Sequence, residues 1–301
     1  MPANNGMAYD ALLLISFGGP EGPDDVLPFL ENVLRGRNVP RERMLEVAEH
    51  YYHFGGKSPI NDQCRALIEA LTPEVDLPIY WGNRNWHPFL GDTVQQMKAD
   101  GVTRALAVAT SAFGSYSGCR QYREDIAASG AEFPIDKLPP FWNQSGFIEA
   151  MRDRVGQPDC EVVFTAHSIP ISMAATAPYE QQLREAAGLI HEGTLAFQSR
   201  SGPASQPWLE PDICDYIRTT TAKKLMVVPL GFLSDHMEVM YDLDLEAAEL
   251  ARERGIEFVR AGTAGTHPLF VKGLAALINE TVANGFTPCR ADCCLPASRR
   301  P

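Results

Sequence analysis

Six short apolar runs punctuate this chain, at residues 9–16, 79–82, 104–110, 161–165, 225–229 and 258–260. Between several of them lie stretches with apolar side chains three and four apart, at 59–71, 90–100, 179–193 and 245–255. A continuous apolar run bounded by turn residues reads as a strand buried on both faces, and the three-and-four spacing as an amphipathic helix. Their alternation calls for parallel strands joined by helical crossovers. The pattern breaks at 133–146, where Lys-Leu-Pro-Pro-Phe-Trp is rich in proline and aromatic residues, and resumes near Phe147. The expected fold class is therefore α/β, with two similar Rossmann-like lobes, each a parallel sheet flanked by helices, and a cleft between them. The first lobe covers 1–146 and the second 147–267. A final helix from about 268 to 283 packs back on the first lobe, within a closing segment 268–301 that ends in a cysteine-rich tail.

Residues 20–57 fit no α/β unit. They mix Pro20, Pro23, Pro28 and Pro40 with the basic stretch Arg35-Gly-Arg37 and the aromatic knot Tyr51-Tyr-His-Phe54. Such an insertion, leaving the first strand end, is either an apolar lip with cationic edges or an ordinary helical excursion.

Function concentrates where strands end, because ligands of open α/β sheets bind beyond the carboxyl ends of the strands. The run at 161–165 leads into His167, and the run at 225–229 leads into a segment carrying Glu238, Asp242 and Glu246. Acids every four residues stack on one helix face and repel one another. They form either a solvated face or a track for a cation. Gly55-Gly-Lys-Ser-Pro59 lacks the spacing of a phosphate loop, which argues against nucleotide binding.

Bulk properties narrow the classes. A net charge of −12 argues against nucleic acid and suits a protein that gathers metal cations. No apolar stretch approaches the roughly eighteen residues of a membrane span. The N-terminal Met-Pro-Ala-Asn-Asn-Gly lacks the features of a signal peptide, so a cytoplasmic location is expected by default. Seven cysteines, an odd number, do not make a disulfide framework. Cys64, Cys119, Cys160 and Cys214 are scattered, whereas Cys289, Cys293 and Cys294 crowd together near the C-terminus.

Thr-Ala-His-Ser-Ile-Pro at 165–170 and Asp-His-Met-Glu-Val-Met-Tyr-Asp-Leu-Asp at 235–244 resemble the two signature motifs of ferrochelatases, which insert ferrous iron into a porphyrin. Leu-Ile-Ser-Phe-Gly-Gly-Pro at 14–20, Gly-Gly-Lys-Ser-Pro at 55–59 and Gly-Asn-Arg-Asn-Trp-His-Pro at 82–88 also look familial. So do Gln-Ser-Arg-Ser-Gly at 198–202 and Pro-Trp-Leu-Glu-Pro at 207–211, in the family's order. The resemblance spans roughly residues 9–285 and implies the chelatase-like fold described above.

It also implies roles. His167 would take porphyrin protons and ligate ferrous iron, since neutral imidazole does both near pH 7. Glu238 would face it as metal ligand or partner in proton removal. Asp242 and Glu246 would continue a path for hydrated iron arriving or protons leaving. Carboxylate oxygens select poorly among divalent metals, so zinc or cobalt should also be accepted. Phe17, Arg35, Arg37, Ser58 and Tyr122 would line the porphyrin pocket or grip its propionates. Asp235 reads as a helix cap.

Many relatives carry tyrosine where this chain has Phe17. Phenylalanine resembles the actinobacterial-type members, which act on coproporphyrin III. The expected reaction is therefore iron insertion into coproporphyrin III, giving coproheme for the haem pathway and its transfer partners. The alternatives are the same reaction on protoporphyrin IX, cobalt insertion into a corrin precursor, or a haem-binding carrier that does no chemistry. Some ferrochelatases hold a two-iron two-sulfur cluster. By that resemblance Cys289, Cys293 and Cys294 would supply three ligands and Cys160 the fourth. Otherwise the tail carries reactive thiols or zinc affinity.

Overall fold

Strand β1, Ala11–Ser16, buries every one of its side chains, as a strand covered by helices on both faces must. In the computed structural model, which describes residues 8–36, 39–202 and 205–296, it pairs in parallel with β2 (Ile79–Asn83) and β3 (Ala105–Ala109). A short β4 (Ile135–Lys137) completes the sheet in the order β2-β1-β3-β4. The second sheet repeats the plan. Its strands are β5 (Glu161–His167), β6 (Thr194–Gln198), β7 (Lys224–Val228) and β8 (Glu257–Arg260), all parallel, in the order β6-β5-β7-β8. Each half thus places its first strand second in the sheet, and the expected pair of Rossmann-like lobes is present.

Two strands depart from the sequence reading. The broken segment at 133–146 contains β4 and the start of the helix Ser145–Val155, and the stretch at 179–193 is the helix Tyr179–Ile190 followed closely by β6. Both missed strands lie at sheet edges.

One apolar core runs through both halves. It joins Leu12 and Leu14 of β1 to Phe164 and Ala166 of β5, and to Leu274 and Ile278 of the final helix Pro268–Asn284. That helix crosses Ser145–Val155 at two glycines. A Cβ added to Gly146 would stand 2.4 Å from the Leu269 carbonyl oxygen and 2.8 Å from the Gly273 Cα. It also lies against the helix Ile60–Leu71 of the first half, and Asn279 Nδ2 donates to the Glu74 carbonyl at 3.0 Å.

The insertion after β1 is helical, with Val26–Val33 and Arg41–His53. Phe29 and Tyr51 from these helices cluster with Trp86 and, from the second half, Met237. His50 stacks on Tyr241 with ring centroids 3.6 Å apart, so the insertion rests on the segment that carries the acid ladder. Phe17, Val39, Leu45 and Tyr52 leave their apolar side chains exposed, which gives the insertion the character of a lip. Among the described residues no helix is long and apolar enough to cross a membrane.

Candidate functional site

His167 is the last residue of β5, and Gly231, beyond the end of neighbouring β7, donates its N–H to the Thr165 carbonyl at 2.9 Å. The Tyr179 hydroxyl donates to the His167 carbonyl at 3.0 Å, which holds the backbone there. The ring's tautomer follows from its contacts. Nδ1 lies 2.5 Å from the Ser168 carbonyl oxygen, which can only accept, so Nδ1 carries the proton. Nε2 of the neutral ring therefore keeps its lone pair, and it lies 3.7 Å from Glu238 Oε2. The two side chains are 33% and 51% exposed, so solutes can reach both.

The ladder sits on a continuous helical run whose middle is not α-helical. Met237–Val239 and Ala248–Glu253 are α-helical, while Met240–Ala247 forms a π-helix. The wider π turn still brings positions four apart close to one face, and π segments recur at functional sites. A merely solvated ladder would leave all its carboxylates in water, and this one does not. Burial pushes Asp242 up to about 7, with the charges of Glu238 and Glu246 adding to the effect and a Ser199 hydrogen bond opposing it. Gln198 Nε2 also donates to Asp242, at 3.3 Å. Glu246 is raised as well, by burial first and by the charge of Asp212 second. Tyr51 on the lip is raised by burial and, less, by the Glu238 charge, so lip and ladder share one electrostatic environment.

The pocket residues expected from the sequence divide. Phe17 lies at the end of β1, exposed, with its ring edge-on to Phe29 at 6.2 Å. Its carbonyl accepts from Asn85 Nδ2 at 3.2 Å, the Asn85 carbonyl accepts from Asn32 Nδ2, and Arg35 Nη2 donates to Asn32 Oδ1 at 2.5 Å. Phe17 and the exposed Arg35 are thus joined through one polar chain. Arg37 lies outside the described residues. Ser58 is only 2% exposed, packed against Gly19, with its N–H on the Pro20 carbonyl. Tyr122, 4% exposed, lies in the core beside β1 and β3 with the Arg84 guanidinium 3.9 Å over its ring. The structure does not bring Ser58 or Tyr122 to an open surface.

Asp235 is not the expected helix cap. His236 occupies that position without a side-chain capping bond, and Asp235 instead accepts from Arg260 Nη1 at 2.9 Å. Arg260 also bridges Asp244, which ties the start of the ladder to β8. His236 packs edge-on against Phe232, and burial lowers its basicity.

The cysteines correct one expectation. Cys160 sits beside Lys224, Asp159 and Glu257, not beside the tail thiols. The thiol that meets the tail is Cys119, on the π-helical turn Tyr116–Arg120. It shares a hydrogen bond with Cys294, and Cys293 neighbours both Cys294 and Cys289, all four being free thiols. The Cys294 bond and the charges of Lys137 and Arg123 hold the Cys119 thiol well below its ordinary range, against its burial. Arg120 Nη1 fastens the tail through the Ala291 and Cys293 carbonyls at 2.8 and 3.1 Å. Among the described residues no group of three or more His, Cys, Asp or Glu side chains is already disposed to hold a single metal ion. Sequence separation hides the Cys119 contact, although its Ser-Gly-Cys-Arg turn is visible in the chain.

Comparison with known proteins identifies the family and the fold. The ferrochelatase family model matches residues 9–282. A protein of Rhodopirellula baltica named ferrochelatase is 53% identical, covering 97% of this chain and 95% of its own. Proteins named coproporphyrin III ferrochelatase from Frankia alni and Mycolicibacterium smegmatis are 49% and 46% identical. They cover 98% and 95% of this chain, and 88% and 93% of their own. Among solved structures, SirB from Bacillus subtilis superposes with a TM-score of 0.58 at 14% identity, covering 91% of this chain and 96% of that one. CbiX, titled the terminal enzyme of sirohaem biosynthesis in denitrifying bacteria, gives 0.53 at 15%, covering 89% and 98%. At such identities these two speak for the fold alone.

Proposed function

The chain belongs to the ferrochelatase family, and we propose that it inserts ferrous iron into coproporphyrin III, giving coproheme, at a site built on His167 and Glu238. The observation that carries the site is the facing of His167 Nε2 and the exposed Glu238 carboxylate across 3.7 Å. A porphyrin must lose two protons and accept a metal stripped of water. Nε2, free to accept, takes a proton from a pyrrole nitrogen or ligates the arriving ion. Glu238 compensates the charge that develops on the ring and passes protons or metal along the ladder. Asp242 and Glu246, partly withdrawn from water, continue that path. A carrier that only stored haem would have no use for such a row of acids.

The exposed apolar lip suits a flat macrocycle, and Arg35 supplies a cation near its edge for propionates. Phe17 offers no metal ligand beneath the ring, which leaves coordination to His167. The names of the Frankia and Mycolicibacterium relatives support coproporphyrin III over protoporphyrin IX. Steady-state insertion with the two porphyrins tests the choice. A higher kcat/KM for coproporphyrin III is expected, and a preference for protoporphyrin IX would reverse it.

The tail fits a two-iron two-sulfur cluster, whose four ligands are thiolates. Cys119, Cys289, Cys293 and Cys294 form a linked set of thiols with cations beside it, and they would hold the cluster. Bound there it would supply one-electron chemistry or a structural clip.

A further inference from the structure

Asp242 is gripped at one oxygen. Ser199 Oγ and Gln198 Nε2 both donate to Oδ2, and among the described residues no donor reaches Oδ1. Gln198 ends β6 as the register partner of His167, and its carbonyl accepts the Ser168 N–H at 2.7 Å. It is 1% exposed, yet its Oε1 finds no donor among the described residues. A buried acceptor left this way is costly and calls for an outside partner. Ser199 follows with φ of +60°, in the left-handed region where glycine is at ease and serine is strained. The strained turn delivers the hydroxyl to Asp242.

We infer that Gln198 and Ser199 are positioning residues for metal delivery: they fix Asp242 by Oδ2 and keep Oδ1 available to an arriving hydrated divalent cation. The orphaned Gln198 oxygen is a ready acceptor for a water of that ion's shell. A bond made only for stability would need neither a strained serine nor an unpaired amide oxygen beside the base. The inference rests on the reading of the acid ladder as a metal path, and its test separates the two.

Ser199→Ala removes the hydroxyl and keeps the strain, while Ser199→Gly removes both and so favours folding. With zinc and coproporphyrin III as substrates, each variant should raise the KM for zinc by about 10- to 100-fold, the usual effect of losing a partner that orients a ligand. The KM for the porphyrin should stay unchanged. Asp242→Ala is measured beside them. If it raises the zinc KM while both Ser199 variants match the unaltered protein, the positioning role is overturned and the metal path stands. If Asp242→Ala leaves the zinc KM unchanged, the path falls and this inference with it. An equal rise in both KM values for Ser199→Gly would reduce the residue to a general structural part and also overturn the inference.

Discussion

Nε2 of His167 stands 3.7 Å from Oε2 of Glu238, too long for a direct hydrogen bond and short enough for the two to act on one guest. Because the Ser168 carbonyl fixes the proton on Nδ1, the facing nitrogen is the basic one. An imidazole nitrogen and a carboxylate thus stand side by side and accessible.

Glu238→Gln keeps the shape and removes the charge. Insertion should fall by about 10²–10⁴-fold, the span of a lost acid–base contribution, with porphyrin affinity nearly intact. Steady-state insertion and porphyrin fluorescence titration measure the two quantities separately. Unchanged insertion would sink the proposed mechanism.

Asp242 links the site to stability. Its folded value of about 7 lies above the ordinary aspartate range, so the folded protein holds a proton that the unfolded chain releases from about pH 4 upward. The folded state binds more protons in that window, and stability falls as pH rises through it. Asp242→Asn removes the loss. At about 1.4 kcal/mol per pKa unit, the variant should gain up to a few kcal/mol over the native chain. Denaturant melts of the metal-free protein should show that gain growing from pH 5 to pH 8. A constant difference would contradict the buried carboxylate.

Much of this was legible in the chain. The central strands β1, β3, β5 and β7 announce themselves because both faces are covered, so apolar residues run without interruption. Edge strands carry it unevenly: β2 and β8 still show a short apolar run, whereas β4 and β6 do not stand out. β4 is only Ile-Asp-Lys within a proline-rich stretch, and β6 follows so closely on the helix Tyr179–Ile190 that the two merge in a periodicity pattern. The π segment Met240–Ala247 breaks the three-and-four rhythm, which is why the apolar pattern becomes helical only near Leu245 although the helical run starts at Met237. His167 and Glu238 were visible from their motifs. The Ser199–Asp242 and Cys119–Cys294 contacts were not, because nothing local encodes a meeting between distant segments.

The thiol cluster gives a spectroscopic outcome. If four thiolates hold a two-iron two-sulfur cluster, protein purified without air should show visible absorption and bound iron and sulfide. Cys119→Ser should abolish both, while Cys160→Ser, placed beside Lys224, should keep them. The reverse pattern would return the fourth ligand to Cys160.

The position of His167 depends on a close backbone approach at Gly231. A Cβ there would stand 2.5 Å from the Ala166 Cβ and 2.7 Å from its Cα, distances that no side-chain rotation relieves. Gly231→Ala must therefore push the end of β5, and with it the residue after Ala166. Overpacking of this kind costs about 1–3 kcal/mol. A displacement of roughly 1 Å at a reacting group can cost about 10²-fold in rate, so insertion should suffer more than folding. Gly262→Ala is the useful contrast, since the three atoms nearest its Cβ would all belong to the Arg154 side chain, at 3.3, 3.4 and 3.5 Å. Thermal melts and insertion rates should show Gly231→Ala less stable and much slower, with Gly262→Ala close to the native chain. A Gly231→Ala protein with native rate and melt would mean that β5 is not held where this contact places it.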